Sequence, residues 1–262
     1  MKNSDIIDKI RLLNKHWFKK TISTNLPKRD LFKDLKDDIN QKQISYVTGT
    51  RRIGKSTLLK QLIQHLILEK NVDPKQILFY EFEKGETAQD INKIFNYYKD
   101  EVLQKSGKYY IFFDEIQYIK GYENKIKIIY DLENTTEFLC KMYLTGSLSL
   151  SYKRRMEESM AGRFILKKLY PLNFKEFLTF KYPDKLNLLK DIKKEKSKEI
   201  ATIKLTELNK YFDEFLVNGS FPELAFIKKI DNEKSKYYIE SILNQSLSQD
   251  AFDYFDIKNP KL

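Results

Sequence analysis

A single cysteine, two histidines, one tryptophan, six prolines and eight glycines are all that this 262-residue chain has of those types. One cysteine cannot form an internal disulfide, and Cys140, with no histidine near it in sequence, reads as a small buried hydrophobe rather than a nucleophile. Long apolar runs are missing too. The stretch Leu62 to Leu68 is interrupted by Gln64 and His65, far short of the roughly 20 residues that cross a bilayer. Met1 to Ile10 is charged throughout and lacks the apolar segment of a secretory signal, so no membrane partner is expected and the chain reads as cytoplasmic.

Arginine is also scarce. There are seven, at positions 11, 29, 51, 52, 154, 155 and 163, so the net charge of +11 is carried almost entirely by lysine. The lysines are dispersed as on a solvated surface, which makes nucleic acid a weaker expectation than the charge alone suggests. Hydrophobic residues make up 41% and charged residues 32%, the balance of a folded globular protein.

Apolar residues recur at helical spacing from Ile6 to Phe18 and through Leu31, Leu35 and Ile39. Apolar runs at Ile44–Val47, Ile77–Phe82, Tyr109–Phe113 and Lys141–Leu144 predict strands, with one more over Arg163–Leu169. Helical patterns separate them over Lys55–Lys70, Ala88–Leu103 and Asn124–Leu132. Strands alternating with helices, and apolar on both faces, predict an α/β domain with a parallel sheet covered on both sides. Beyond Pro171 the spacing of Asn173 and Glu176 fits a capping box opening a helix at Phe174, and the remainder reads as helical. Two domains are expected: 1–170, α/β with its N-terminal helices over residues 1–40, and 171–262, helical. Lys190–Lys198 reads as solvated surface, and no internal repeat is present.

Against this scarcity of glycine, two fall in one turn between a strand and a helix. Gly49-Thr50-Arg51-Arg52-Ile53-Gly54-Lys55-Ser56 fits G-x-x-x-x-G-K-[ST], with Thr57 adding a second hydroxyl. Glycines let the backbone N–H groups close on phosphates and the following helix aims its positive end at them. Lys55 can reach the terminal phosphates, and Ser56 can ligate Mg²⁺. Tyr109–Phe113 then ends in Asp114-Glu115, at the strand end where a parallel sheet presents ligands. Asp114 suits a Mg²⁺ role and Glu115 that of orienting the attacking water. No Asn-Lys-x-Asp sequence reads guanine, so ATP is the expected nucleotide. Thr145 and Ser147, at the end of the fourth strand, are candidates to contact the terminal phosphate or the water. Arg163 is the arginine best placed to meet nucleotide, whereas Arg154 and Arg155 read as solvated surface. A neighbouring copy supplying an arginine is an alternative, so a homo-oligomer stays open.

Together with Phe113-Asp114-Glu115-Ile116-Gln117, Leu144-Thr145-Gly146-Ser147, Ala161-Gly162-Arg163, Tyr170-Pro171-Leu172-Asn173-Phe174 and Gly219-Ser220-Phe221-Pro222, the phosphate loop resembles that of the prokaryotic, archaeal-type AAA+ ATPases with a G-x-R-R-x-G-K-[ST] loop. The similarity in motif order covers roughly residues 30 to 225. It implies a P-loop core with a five-stranded parallel sheet flanked by helices, followed by a helical lid, binding ATP and Mg²⁺. It also implies Lys55 and Ser56 at the phosphates, Asp114 and Glu115 as the acidic pair, and Thr145 to Ser147 as the sensor. Arg51, Arg52 and Gln117 match family positions, the arginines being expected to engage the lid or the nucleotide edge. Tyr122 stands where relatives often carry Trp, and Ser220 where they carry Gly. Relatives continue beyond the lid into a winged-helix region, whereas this chain ends at Leu262. The functions in view are an ATPase driving a conformational change, a nucleotide-gated switch with slow hydrolysis, and a nucleic-acid-associated regulatory ATPase.

Overall fold

A computed structural model describes residues 3–18, 24–135, 137–146, 160–194, 196–218, 220–227, 233, 236–242 and 244. The chain divides into two compact units, Met1–Gly49 with Lys55–Leu169, and Thr50–Gly54 with Tyr170–Leu262.

The first unit is built on five parallel strands: β1 (Ile44–Thr48), β2 (Ile77–Glu81), β3 (Tyr109–Asp114), β4 (Cys140–Gly146) and β5 (Phe164–Lys168), in the order β2-β3-β4-β1-β5. Helices α1 (Asn3–Leu13), α2 (Leu31–Asp37), α3 (Lys55–Leu68), α4 (Ala88–Tyr97) and α5 (Tyr122–Glu133) accompany them among the described residues. Each central strand sends alternate side chains to two covered faces, which is why these strands read as unbroken apolar runs. Tyr46, Leu78, Tyr80, Ile111, Phe113, Met142 and Leu144 pack with Ile6 and Ile10 of α1, Ile91 and Ile94 of α4, and Ile126 and Ile129 of α5. On the other face, Phe112 and Tyr143 stack with centroids 5.0 Å apart, the Tyr143 hydroxyl donates to the Leu35 carbonyl of α2, and Lys60 of α3 lies over Phe79.

The helix expected over Ile6–Phe18 ends at Leu13, and the physical reason lies at the sheet edge. β2 is an edge strand with free backbone groups. Asn14 exchanges two hydrogen bonds with the Phe79 backbone, at 2.7 and 2.8 Å, while His16 Nε2 and Trp17 Nε1 both donate to the Ile77 carbonyl. The turn Lys15–Trp17 thus closes that edge in place of another strand. The helix expected to run to Leu103 likewise ends at Tyr97 and widens into a π-turn over Tyr98–Val102.

The second unit is helical: α6 (Phe174–Lys181), α7 (Leu186–Lys194), α8 (Lys198–Asn218) and α9 (Pro222–Ala225). The expected capping box opens α6, Glu176 N–H donating to Asn173 Oδ1 at 2.8 Å and Asn173 N–H to Glu176 Oε2 at 3.1 Å. Phe177, Leu178, Leu208 and Ala225 form its core, with Phe174, Tyr182 and Phe215 packed against them. No helix among the described residues is long and apolar enough to cross a membrane.

Candidate nucleotide site

The parallel register levels the strand ends. Thr48 lies opposite Gly146, Val47 opposite Thr145, and Glu81 opposite Asp114. Because all five strands run the same way, the residues just past these ends meet at one edge of the sheet.

Leaving β1 after Thr48, the chain turns through Gly49–Gly54 into α3, whose first residue is Lys55. Gly54 adopts φ +95°, where a side chain would be strained. Arg52, without that freedom, also sits at φ +61°. Lys55 is buried, and its ammonium donates to the Gly49 carbonyl at 3.1 Å and lies 3.9 Å from Glu115 Oε1. Within the second unit, the Arg52 guanidinium covers the Tyr238 ring at 5.2 Å, and the Tyr238 hydroxyl donates to Glu223. Burial, then that carboxylate, raises the Tyr238 pKa to about 12. Ile53 is fully buried.

Asp114 closes β3 and has no exposed surface. Burial pushes its carboxyl pKa up, against the Ser56 and Thr145 hydroxyls and the Lys55 charge, which favour the ionised form. Thr145 donates to Asp114 Oδ1, while Oδ2 is buried and has no hydrogen-bond partner among the described residues. A buried carboxylate oxygen with an open lone pair, next to a serine hydroxyl, is a hard oxygen donor set of the kind Mg²⁺ takes. Glu115 follows in left-handed backbone geometry, φ +53°. Its N–H donates to Thr145 Oγ1 at 3.1 Å, and its Oε2 accepts from Gln117 Nε2 at 2.5 Å.

Lys55, Ser56, Asp114, Glu115 and Thr145 are thus drawn together. Thr145 is wholly buried, and its hydroxyl donates to Asp114 and accepts the Glu115 N–H, so it braces the acidic pair. Arg163 is a correction. It precedes β5 at the amino-terminal edge of the sheet, where its carbonyl accepts from Ile44 N–H, and its guanidinium grips Asp131 at 2.8 and 3.1 Å. The phosphate loop leaves the opposite edge, so Arg163 is not part of this site. Ser147, Arg154, Arg155 and Gly219 lie outside the described residues.

One neighbour was not singled out from the sequence. Glu81 ends β2 beside Asp114, and its pKa is raised by burial and then by the Asp114 charge. The signal was legible, since Ile77-Leu78-Phe79-Tyr80 is an apolar run ending in an acid, as Tyr109–Phe113 is.

Residues 41–178 match the model of a protein family described as AAA domain. The Methanocaldococcus jannaschii protein MJ1544 is 28% identical over 264 aligned positions, covering 98% of this chain and 53% of that one. A Haemophilus influenzae protein is 31% identical over 153 positions, covering 56% of this chain and 36% of its own. The chain spans about half the length or less of these curated relatives. Among solved structures, C. elegans PCH-2 is similar with 14% identity and a TM-score of 0.44, covering 93% of this chain and 67% of that one.

Proposed function

This chain belongs to the AAA domain family, and from that premise we propose that it binds ATP with Mg²⁺ and hydrolyses it to drive a conformational change. The observation that carries the reading is the convergence of Lys55, Ser56, Asp114 and Glu115 at one edge of the sheet, with Thr145 bonded to both acids. In it Lys55 exchanges its contacts with Gly49 and Glu115 for the terminal phosphates of ATP. The Glu115 carboxylate orients the attacking water and takes its proton. Ser56 and Asp114 would hold Mg²⁺, which when bound offsets phosphate charge. Arg51 and Arg52 lie in the same loop and would report on the nucleotide. The doubled arginine and the Asp-Glu-Ile-Gln run favour the archaeal-type branch of the family.

The test is phosphate release from Mg²⁺-ATP over a range of protein concentrations, alongside Lys55→Ala and Glu115→Gln. Turnover cut to a small residual rate in both variants is expected, and a rate per protomer that climbs with concentration would mean that a second copy completes the site.

A second reading, a nucleotide-gated switch with slow hydrolysis, is favoured by the placement of Arg163. That arginine is bound to Asp131 at the far edge and supplies no charge to the transferring phosphoryl group. ATP bound with turnover no faster than in Lys55→Ala would establish it over hydrolysis.

A further inference from the structure

Glu115 is held from two directions. Its Oε1 lies 3.9 Å from the Lys55 ammonium, and its Oε2 accepts from the Gln117 amide at 2.5 Å. A carboxylate only accepts, so the amide must present its nitrogen to Glu115, and its own oxygen then faces the other way. That oxygen is buried without a hydrogen-bond partner among the described residues. It lies against Gly146 at the end of β4, where a Cβ would collide with both the Gln117 amide and the Tyr46 hydroxyl. The amide is therefore wedged between the end of β4 and Glu115, which is its side-chain hydrogen-bond partner among the described residues.

The two holds differ in consequence. Lys55 is the loop lysine and is drawn to phosphate when nucleotide binds, which removes its charge from Glu115. Gln117 remains. An uncharged amide fixes one carboxylate oxygen while leaving the other free to accept a proton, which a cationic partner in the same place would oppose. The Glu115 backbone is left-handed, φ +53°, and its N–H is bonded to Thr145 Oγ1, so the residue that meets this amide is tied at its main chain as well.

We infer that Gln117 is a positioning residue for Glu115, holding its carboxylate at the water site once Lys55 has turned to the nucleotide, and that Gly146 is glycine because a side chain there would displace the amide. The inference rests on the hydrolytic reading above and adds a residue to it.

The experiment uses the full chain with Gln117→Leu, Gln117→Glu and Gly146→Ala, each also in the Glu115→Gln background. Turnover of ATP is measured beside fluorescent-nucleotide affinity and thermal unfolding. Gln117→Leu is expected to lower kcat roughly tenfold to a hundredfold, in keeping with lost positioning, with nucleotide affinity and melting temperature unchanged. Gly146→Ala should lower kcat likewise, with a lower melting temperature as well because its Cβ also meets the buried Tyr46 hydroxyl. In the Glu115→Gln background the same substitution should change the residual rate by less than about twofold, because a residue acting through Glu115 has nothing left to act on. A kcat for Gln117→Leu within about twofold of wild type would overturn the inference, as would a loss of equal size without Glu115 or one matched by weaker nucleotide binding. Should wild type turn over no faster than Lys55→Ala, the hydrolytic reading fails by itself. Crystal structures of wild type and Gln117→Leu with Mg²⁺-ATP then decide the positioning role: a Glu115 carboxylate in the same place in both overturns it, and a displaced one upholds it.

Discussion

The Thr145 hydroxyl donates to Asp114 and at the same time accepts the Glu115 N–H at 3.1 Å, so one side chain at the end of β4 is tied to both acids at the end of β3. With Asp114 completely buried, this is a bond that water cannot replace. Thr145→Val keeps the shape and removes the hydroxyl, leaving a buried carboxylate oxygen and a backbone N–H unpaired. The expected cost is about 1–3 kcal/mol, read by urea unfolding. ATP turnover should fall with it, while Thr145→Ser, which restores the oxygen, should stay near wild type in both. A Thr145→Val protein as stable and as active as wild type would show the bond to be incidental.

Arg52 rests on the ring of Tyr238, whose hydroxyl is bound to Glu223. A guanidinium over a partly desolvated tyrosine contributes on the order of 0.5–2 kcal/mol, and in this case it fixes a residue in the middle of the phosphate loop. Arg52→Glu replaces the attraction with repulsion against the ring face and Glu223. It is expected to change the affinity for a fluorescent ATP analogue severalfold, with Arg52→Lys intermediate because an ammonium stacks less well. Identical affinities in the three proteins would leave Arg52 without a role in nucleotide binding.

The sheet was legible because β1 to β4 are buried on both faces, so each announced itself as a short apolar run, whereas the half-buried β5 ends in two lysines. The site was legible where chemistry dictates type and spacing together, as at Gly54, Lys55 and Ser56, or where an acid stands at a strand end, as at Asp114. What could not be read is what tertiary contact decides. Nothing local distinguishes Thr145 facing a phosphate from Thr145 bracing an acid. Arg163, just ahead of the last strand, looked well placed to meet nucleotide, but parallel topology puts the start of β5 at the opposite edge from the phosphate loop. Asn14, His16 and Trp17 carry no signal of their partners, since the groups they satisfy belong to a strand some 60 residues away.

Lys141 is a further case that only the fold reveals. It lies within β4 with no exposed surface, donating to the Gln43 carbonyl at 2.5 Å and to Ser45 Oγ at 3.0 Å. Burial lowers its pKa from 10.5 to about 7, with nearby Asp38 opposing the shift. Above pH 7 the unfolded chain therefore holds a proton at this residue that the folded chain has given up, so stability should rise with pH from about 7 towards 10. Lys141→Met removes the titrating group but keeps the aliphatic volume. Urea unfolding at pH 7, 8 and 9 is expected to show a rising wild-type curve and a flatter one for the variant; parallel curves would place the lysine outside the linkage.

His16 gives the opposite edge of the pH range. Its Nε2–H donates to the Ile77 carbonyl at 3.1 Å, its Nδ1 is buried without a hydrogen-bond partner among the described residues, and the ring is 1% exposed. Burial lowers its pKa from 6.5 to about 4, the Ile77 bond acting against the shift. The neutral ring is what the edge of β2 accommodates, so its contribution is complete above pH 6.5 and is lost as the pH falls towards 4, the unfolded chain taking up the proton first. At about 1.4 kcal/mol per pKa unit, the loss over that window is on the order of 3 kcal/mol. His16→Gln can still offer an amide N–H to Ile77 and carries no proton to gain. It is expected to begin less stable at pH 7.5, from lost packing beside Trp17, and to lose less on acidification. Unfolding free energies at pH 7.5, 6.0 and 4.5 should therefore converge for the two proteins. If instead they keep a constant difference, the acid sensitivity lies with the carboxylates rather than with this edge.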